Sequence, residues 1–212
     1  MLFATLSVRA QTLAVPGAGF PVDVLVKSPA LTNTDLQVIC LFQADPVNTV
    51  PNPLHGSLAE IDEKLGGLLS QLRKESLFAG QLGETLLITP RPGTIPARRL
   101  LLIGLGDLPS FTPVREQVVG FIAFEEAERL AISHPFFAPT VLDGGKTGID
   151  TGDVAQQFMA GFLRAKATQV LLQKAGVSSG KNPDSLTFLA GGTHAEGTRE
   201  GLARAFQTGP RN

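Results

Sequence analysis

The chain has 212 residues, with 18 Lys+Arg against 19 Asp+Glu, 43% hydrophobic and 17% charged residues, one Cys, three His and neither Trp nor Tyr. Near-neutral charge excludes a uniformly basic surface for nucleic acid or anionic lipid, and a lone Cys40 excludes an internal disulfide or a Cys-rich zinc site. The length is ample for one core, so a soluble α/β-type globular domain in a reducing, cytoplasmic setting is expected.

In chain order, residues 3–15, 22–27 and 36–42 are short apolar or alternating runs bounded by Pro, Gly, Asn and Asp, which predicts three opening strands. The first twenty residues lack a basic segment ahead of an apolar block, so no signal peptide is expected. Residues 57–74 place Leu58, Ile61, Leu65, Leu68, Leu69 and Leu72 on one helical face, with Ser57 and Glu60 as an S-x-x-E capping box. Residues 85–89 and 98–103 read as strands, the second a near-continuous Leu/Ile run suited to burial on both faces.

Thr112 and Pro113 predict a helix start, with the helix reaching about Ile132. A short strand is expected at 139–142, a helix at 151–172 with a break near Thr168, and a last strand at 185–190. Thr193 and Glu196 resemble a second capping box, opening a helix to about Phe206. The pattern predicts a single domain, a three-layer α/β/α sandwich around a mixed sheet. The longest dense apolar run, residues 100–105, is far below the roughly 20 residues that span a bilayer.

Candidate chemistry is sparse. His55, His134 and His194 have no second His or Cys nearby, so no metal site is expected. Glu125, Glu126 and Glu128 fall inside a predicted helix, where a solvated face is the simpler reading than a catalytic pair. No Ser sits in a G-x-S-x-G elbow, and Cys40 lies in an apolar strand where an inert thiol is expected. Three glycine turns are candidate anion cradles. Gly104, Gly106 and Asp107 follow a strand, Gly145-Lys146-Thr147 resembles the end of a P-loop without its first glycine, and Gly191, Gly192 and Thr193 lie directly between a strand and a helix. Catalytic residues are expected to be absent, and Gly104, Gly106, Asp107, Gly191, Gly192 and Thr193 are the candidate ligand-binding positions.

A family resemblance runs through these elements. Gly80-Gln81-Leu82-Gly83-Glu84-Thr85-Leu86, followed by Arg98-Arg99-Leu100-Leu101-Leu102-Ile103-Gly104-Leu105-Gly106, resembles the paired strands of the N-terminal domain of the leucyl aminopeptidases, peptidase family M17. Glu196-Gly197, Gly201, Ala203-Arg204, Phe206, Pro210 and Asn212 resemble the helix that joins that domain to the catalytic one, with Thr208 in place of the usual first Asn. The resemblance implies a macro-domain-like fold over residues 1–212, with 198–212 as the junction. It also implies that the two divalent metals of the family, such as Zn or Mn, belong to a catalytic domain that would begin where this chain stops. The expected function is a non-catalytic module for assembly, regulation or recognition, partnered by such a catalytic domain or by copies of itself. The alternatives are a macro-like module for a small anionic ligand such as a nucleotide or ADP-ribose, or half of a metal-dependent aminopeptidase. A nucleic-acid patch would have to come from Arg91, Arg98, Arg99 and Arg115, and no interleaved aromatics support it.

Overall fold

The computed structural model describes residues 11–44 and 53–208. The strands are β1 (Thr12–Ala14), β2 (Val22–Val26), β3 (Gln37–Leu41), β4 (Thr85–Ile88), β5 (Leu100–Gly104), β6 (Phe136–Ala138) and β7 (Leu186–Ala190). They form one sheet in the order β1-β2-β7-β6-β3-β5-β4. The inner neighbours pair in parallel, and β1 and β4 run antiparallel at the two edges, so the sheet is mixed as expected. Residues 3–10 of the first predicted strand lie outside the described residues, as do Pro210 and Asn212.

Both faces of the sheet are covered. Along β3, Ile39 and Leu41 join Leu58, Ile61, Leu69, Phe78, Leu100 and Leu102 on one side. Val38 and Cys40 join Leu101, Ile103, Val119, Phe124, Phe158 and Leu202 on the other. This two-residue alternation is what a strand buried on both faces must show, since successive side chains point to opposite sides. Helices α1 (Gly56–Lys64) and α2 (Leu68–Lys74) supply the first layer. Helices α3 (Glu116–Arg129), α4 (Thr151–Lys174) and α5 (Ala195–Thr208) supply the second.

Several expected boundaries move, each for a physical reason. The helix expected over 57–74 is two helices, because Gly66 and Gly67 take φ of 69° and 83° between them. Asp62, near the end of α1, accepts from the backbone amides of Leu69 (2.7 Å) and Ser70 (3.2 Å), so it caps α2 from within the preceding helix. The S-x-x-E box does not close: Ser57 donates from its amide and its hydroxyl to Asp143, and Glu60 accepts from the Ser28 hydroxyl at 2.6 Å. The second box does not close either, because Glu196 pairs with Arg199. The strand expected at 139–142 lies earlier, at Phe136–Ala138, since Pro139 has no donor for the ladder. Helix α4 runs unbroken through Thr168, whose hydroxyl donates to the Arg164 carbonyl at 3.0 Å. A 3-10 turn, Pro113–Arg115, precedes α3, which ends at Arg129 rather than near Ile132.

The second helical layer is built on glycine crossings. A Cβ on Gly120 of α3 would stand 1.9 Å from the Phe158 carbonyl oxygen, and one on Gly161 of α4 would stand 2.0 Å from that of Gln117. A Cβ on Gly201 of α5 would stand 2.0 Å from the Gly152 carbonyl oxygen. The three helices therefore touch backbone to backbone, a separation that any side chain would prevent.

Candidate functional site

The carboxyl ends of β2, β6 and β7 open on a cleft of about 380 Å³. Crevices outside the carboxyl ends of parallel strands are where α/β sheets commonly place ligands, because the connecting loops and helix starts converge there. After β2 the chain contributes Lys27 and Ser28, after β6 Thr140 and Asp143, and after β7 Gly191 and His194. Thr151 and Val154 of α4 and Thr198 of α5 complete one wall.

The loop after β6 is held by an unusual residue. Thr140 is β-branched yet sits at φ 50°, in the left-handed region that such residues rarely occupy. Its hydroxyl accepts from the Cys40 amide at 2.9 Å and donates to the Cys40 carbonyl at 2.7 Å, which ties the loop to the middle of the sheet. Strained conformations of this kind cost about 1–3 kcal/mol and persist where the surroundings over-determine them. A few residues on, Asp143 is consumed by the start of α1 through Ser57.

The glycine turns after β5 and β7 are not brought together. At the end of β5, the amides of Gly104, Leu105 and Gly106 donate to the carbonyls of Glu84 (2.8 Å), Leu41 (2.9 Å) and Gly80 (2.9 Å), leaving no donor for an anion. Asp107 accepts from the amide and hydroxyl of Ser110, which hold its carboxyl below the usual carboxylate value. Arg115 closes the turn by donating to the carbonyls of Leu105 and Asp107 and to the Ser110 hydroxyl. At the end of β7, Gly191 lines the cleft, and Gly192 begins a 3-10 turn, Gly192–His194, that runs directly into α5. Gly145-Lys146-Thr147 forms no cradle: its amides donate to carbonyls of its own loop, and the Lys146 ammonium donates to the Leu108 carbonyl at 3.3 Å.

Lys27, Thr140, Asp143, His194 and Thr198 carry no sequence motif. The one legible signal is that His194 and Thr198 are four apart, on one face of the helix that follows the Gly-Gly turn.

Other titratable groups are structural. Burial raises the Cys40 thiol well above its ordinary value, so it carries little thiolate. His134 shares a hydrogen bond of 2.8 Å with Thr187, and burial lowers its basicity. Glu126 pairs with Arg129, and Glu125 accepts from Gln169. Among the described residues no group of three or more His, Cys, Asp or Glu is placed to hold a metal ion, so these residues do not fit a two-metal centre. Among them, too, no helix is long and apolar enough to cross a membrane. Glu116, the first residue of α3, is wholly buried; among the described residues neither of its carboxylate oxygens is hydrogen-bonded, and burial pushes its protonation constant well up.

Comparison with known proteins locates this architecture. Residues 40–170 match the model of the cytosol aminopeptidase family, N-terminal domain. A probable cytosol aminopeptidase of Roseiflexus castenholzii is 31% identical over 168 residues, which is 78% of this chain and 33% of that protein. One from Thermosynechococcus vestitus is 36% identical over 77 residues, 36% of this chain and 14% of that protein. The matched region thus spans a third or less of each relative. Among solved structures, a tomato leucine aminopeptidase mutant superposes with a TM-score of 0.61 at 21% identity, over 87% of this chain and 35% of that one. A mutant Oceanobacillus iheyensis macrodomain gives 0.63 at 13% identity, over 93% and 99%.

Proposed function

This chain belongs to the cytosol aminopeptidase family, matching its N-terminal domain, and from that premise we propose that it is a non-catalytic module serving assembly, regulation or recognition beside an aminopeptidase catalytic domain. The observation that carries the reading is the match of residues 40–170 to the N-terminal model, in a region that aligns with only 33% of the Roseiflexus castenholzii relative. Two divalent ions and their ligands belong, on this reading, to the partner domain. The module works in the cytoplasm, as part of a hetero-assembly or a homo-oligomer whose enzymatic step lies elsewhere.

The test is a direct assay of the purified chain on leucyl p-nitroanilide with Mn²⁺ or Zn²⁺, alone and mixed with a separately produced catalytic domain of a family member. The chain alone is expected to be inert, and the mixture to elute as one species on gel filtration. Turnover by the chain alone at about 1 s⁻¹ or faster, an ordinary enzymatic rate, would overturn the proposal.

A further inference from the structure

A second depression lies at the other end of the sheet, where β3 and β5 begin. It is a groove of about 620 Å³ between the 3-10 turn Pro29–Leu31, the last turn of α1 and the loop 89–98 that joins β4 to β5. Its walls are fixed before anything binds. Pro90, Pro92 and Pro96 restrict the loop backbone, and Gly93 turns it at φ 90°. Thr94 donates its amide (3.2 Å) and its hydroxyl (2.8 Å) to the Arg91 carbonyl, and the Arg98 amide donates to the Thr34 carbonyl at 2.9 Å. Across the groove the Leu31 amide donates to the Ser28 carbonyl at 3.0 Å. Walls held in this way lower the ordering cost of binding.

Charge is segregated here. The chain balances 18 Lys+Arg against 19 Asp+Glu, yet Lys64, Arg91 and Arg98 line the groove and no Asp or Glu does. All three are exposed. Lys64 and Arg91 make no side-chain hydrogen bond or ion pair among the described residues. Arg98 meets Asp35 at 2.9 Å, with both side chains more than half exposed, and such a pair is weak enough to be exchanged for another carboxylate. Between the cations the surface is apolar: Ala30, Ile95 and Ala97 form a buried floor, and Leu31 stands beside it 48% exposed. No aromatic side chain lines the groove, so nucleic-acid bases would find nothing to stack on. Three cations around an aliphatic floor match carboxylates that flank an aliphatic side chain.

We propose that this groove docks an acidic peptide segment of a partner protein. An aliphatic side chain of the segment rests on Leu31, Ile95 and Ala97, and Asp or Glu side chains to either side meet Lys64, Arg91 and Arg98. Charge complementarity selects this occupant. Docking here goes beyond the role beside a catalytic domain and does not rest on it, so either reading can fail alone.

Fluorescence anisotropy with the whole chain and a labelled Glu-Glu-Leu-Glu-Glu peptide tests the proposal, against Glu-Glu-Gly-Glu-Glu, Lys-Lys-Leu-Lys-Lys and a short oligothymidylate. The Leu-centred acidic peptide is expected to bind saturably below about 1 mM and at least about fivefold more tightly than each of the other three. Raising salt from about 0.05 M to about 0.5 M is expected to weaken it, because the contacts are exposed and screened. Lys64→Glu and Arg91→Glu, on exposed side chains that hold no contact in the fold, are each expected to weaken binding about fivefold, whereas Lys181→Glu, exposed elsewhere, leaves it unchanged. Sedimentation of the chain alone covers a second copy as occupant. Absence of saturable binding, equal or tighter binding of oligothymidylate or of the Gly-centred peptide, affinity unchanged by Arg91→Glu, or an oligomer that Arg91→Glu dissociates would overturn the proposal.

Discussion

Two strand exits of the same sheet, both marked by paired glycines, end in opposite states. After β5, every amide of the turn is taken by a carbonyl from the β4 approach or from β3, and Arg115 seals the outside. After β7, the turn meets only contacts at ordinary distance: a Cβ on Gly191 would lie 3.7 Å from His194, and one on Gly192 would lie 3.7 Å from Val26. A glycine pair at a strand end is therefore not one kind of feature. In the first turn glycine makes room for the protein's own backbone, and in the second it leaves the backbone open.

Substitution separates the two most sharply. A Cβ on Gly104 would stand 1.9 Å from the Gln81 carbonyl oxygen, so Gly104→Ala is expected to cost about 3 kcal/mol in urea unfolding. Next in size is the anchor of the open side. Thr140→Val removes both hydrogen bonds to Cys40 and leaves two buried backbone groups unpaired, an expected loss of about 2 kcal/mol by the same measurement.

The closed side also carries a pH signature. Burial raises the protonation constant of Glu116 well above the ordinary 4.5 in the fold, which favours its neutral form. Unfolded chains release that proton near the ordinary value, so stability is fully present below it and falls as pH rises towards the folded value. Relative to Glu116→Gln, the wild type is expected to lose stability as pH rises above the ordinary carboxylate value, by at most about 1.4 kcal/mol per pH unit, read from urea midpoints across a pH series. Identical pH profiles for the two proteins would remove the buried-acid account. The smallest effects belong to the open turn: Gly192→Ala and Thr198→Val are each expected to change stability by within about 0.5 kcal/mol in thermal melts. A large loss from Gly192→Ala would erase the contrast between the turns.

The layers of the fold were legible because they rest on local pattern. The alternation in β3 and the Leu/Ile run of β5 announce strands buried on both faces, and the resemblance carried by residues 80–86 and 98–106 pointed to the family that the comparisons show. What escaped was settled by distant partners. The α1–α2 break depends on Gly66-Gly67 and on Asp62 reaching forward to the next helix, while the Ser57 box fails because Asp143 arrives from another loop. Nor can spacing alone distinguish Gly104 from Gly191, since the Glu84 and Gly80 carbonyls that close the first turn arrive with β4 and its approach. Thr140 was invisible as a site residue because its role lies in what its hydroxyl bonds, the amide and carbonyl of Cys40 a hundred residues away.

The glycine crossings bear on how motion travels. Side chains at an ordinary helix crossing absorb a small shift by changing rotamer, but Gly120, Gly161 and Gly201 have none to change. Helix α4 touches α3 near one crossing and α5 near another, so the layer transmits displacement as a stiff plate. A shift of α5 therefore meets the α4 backbone at Gly152 with no side chain of Gly201 in between, and a shift of α4 meets α3 the same way at Gly120 and Gly161.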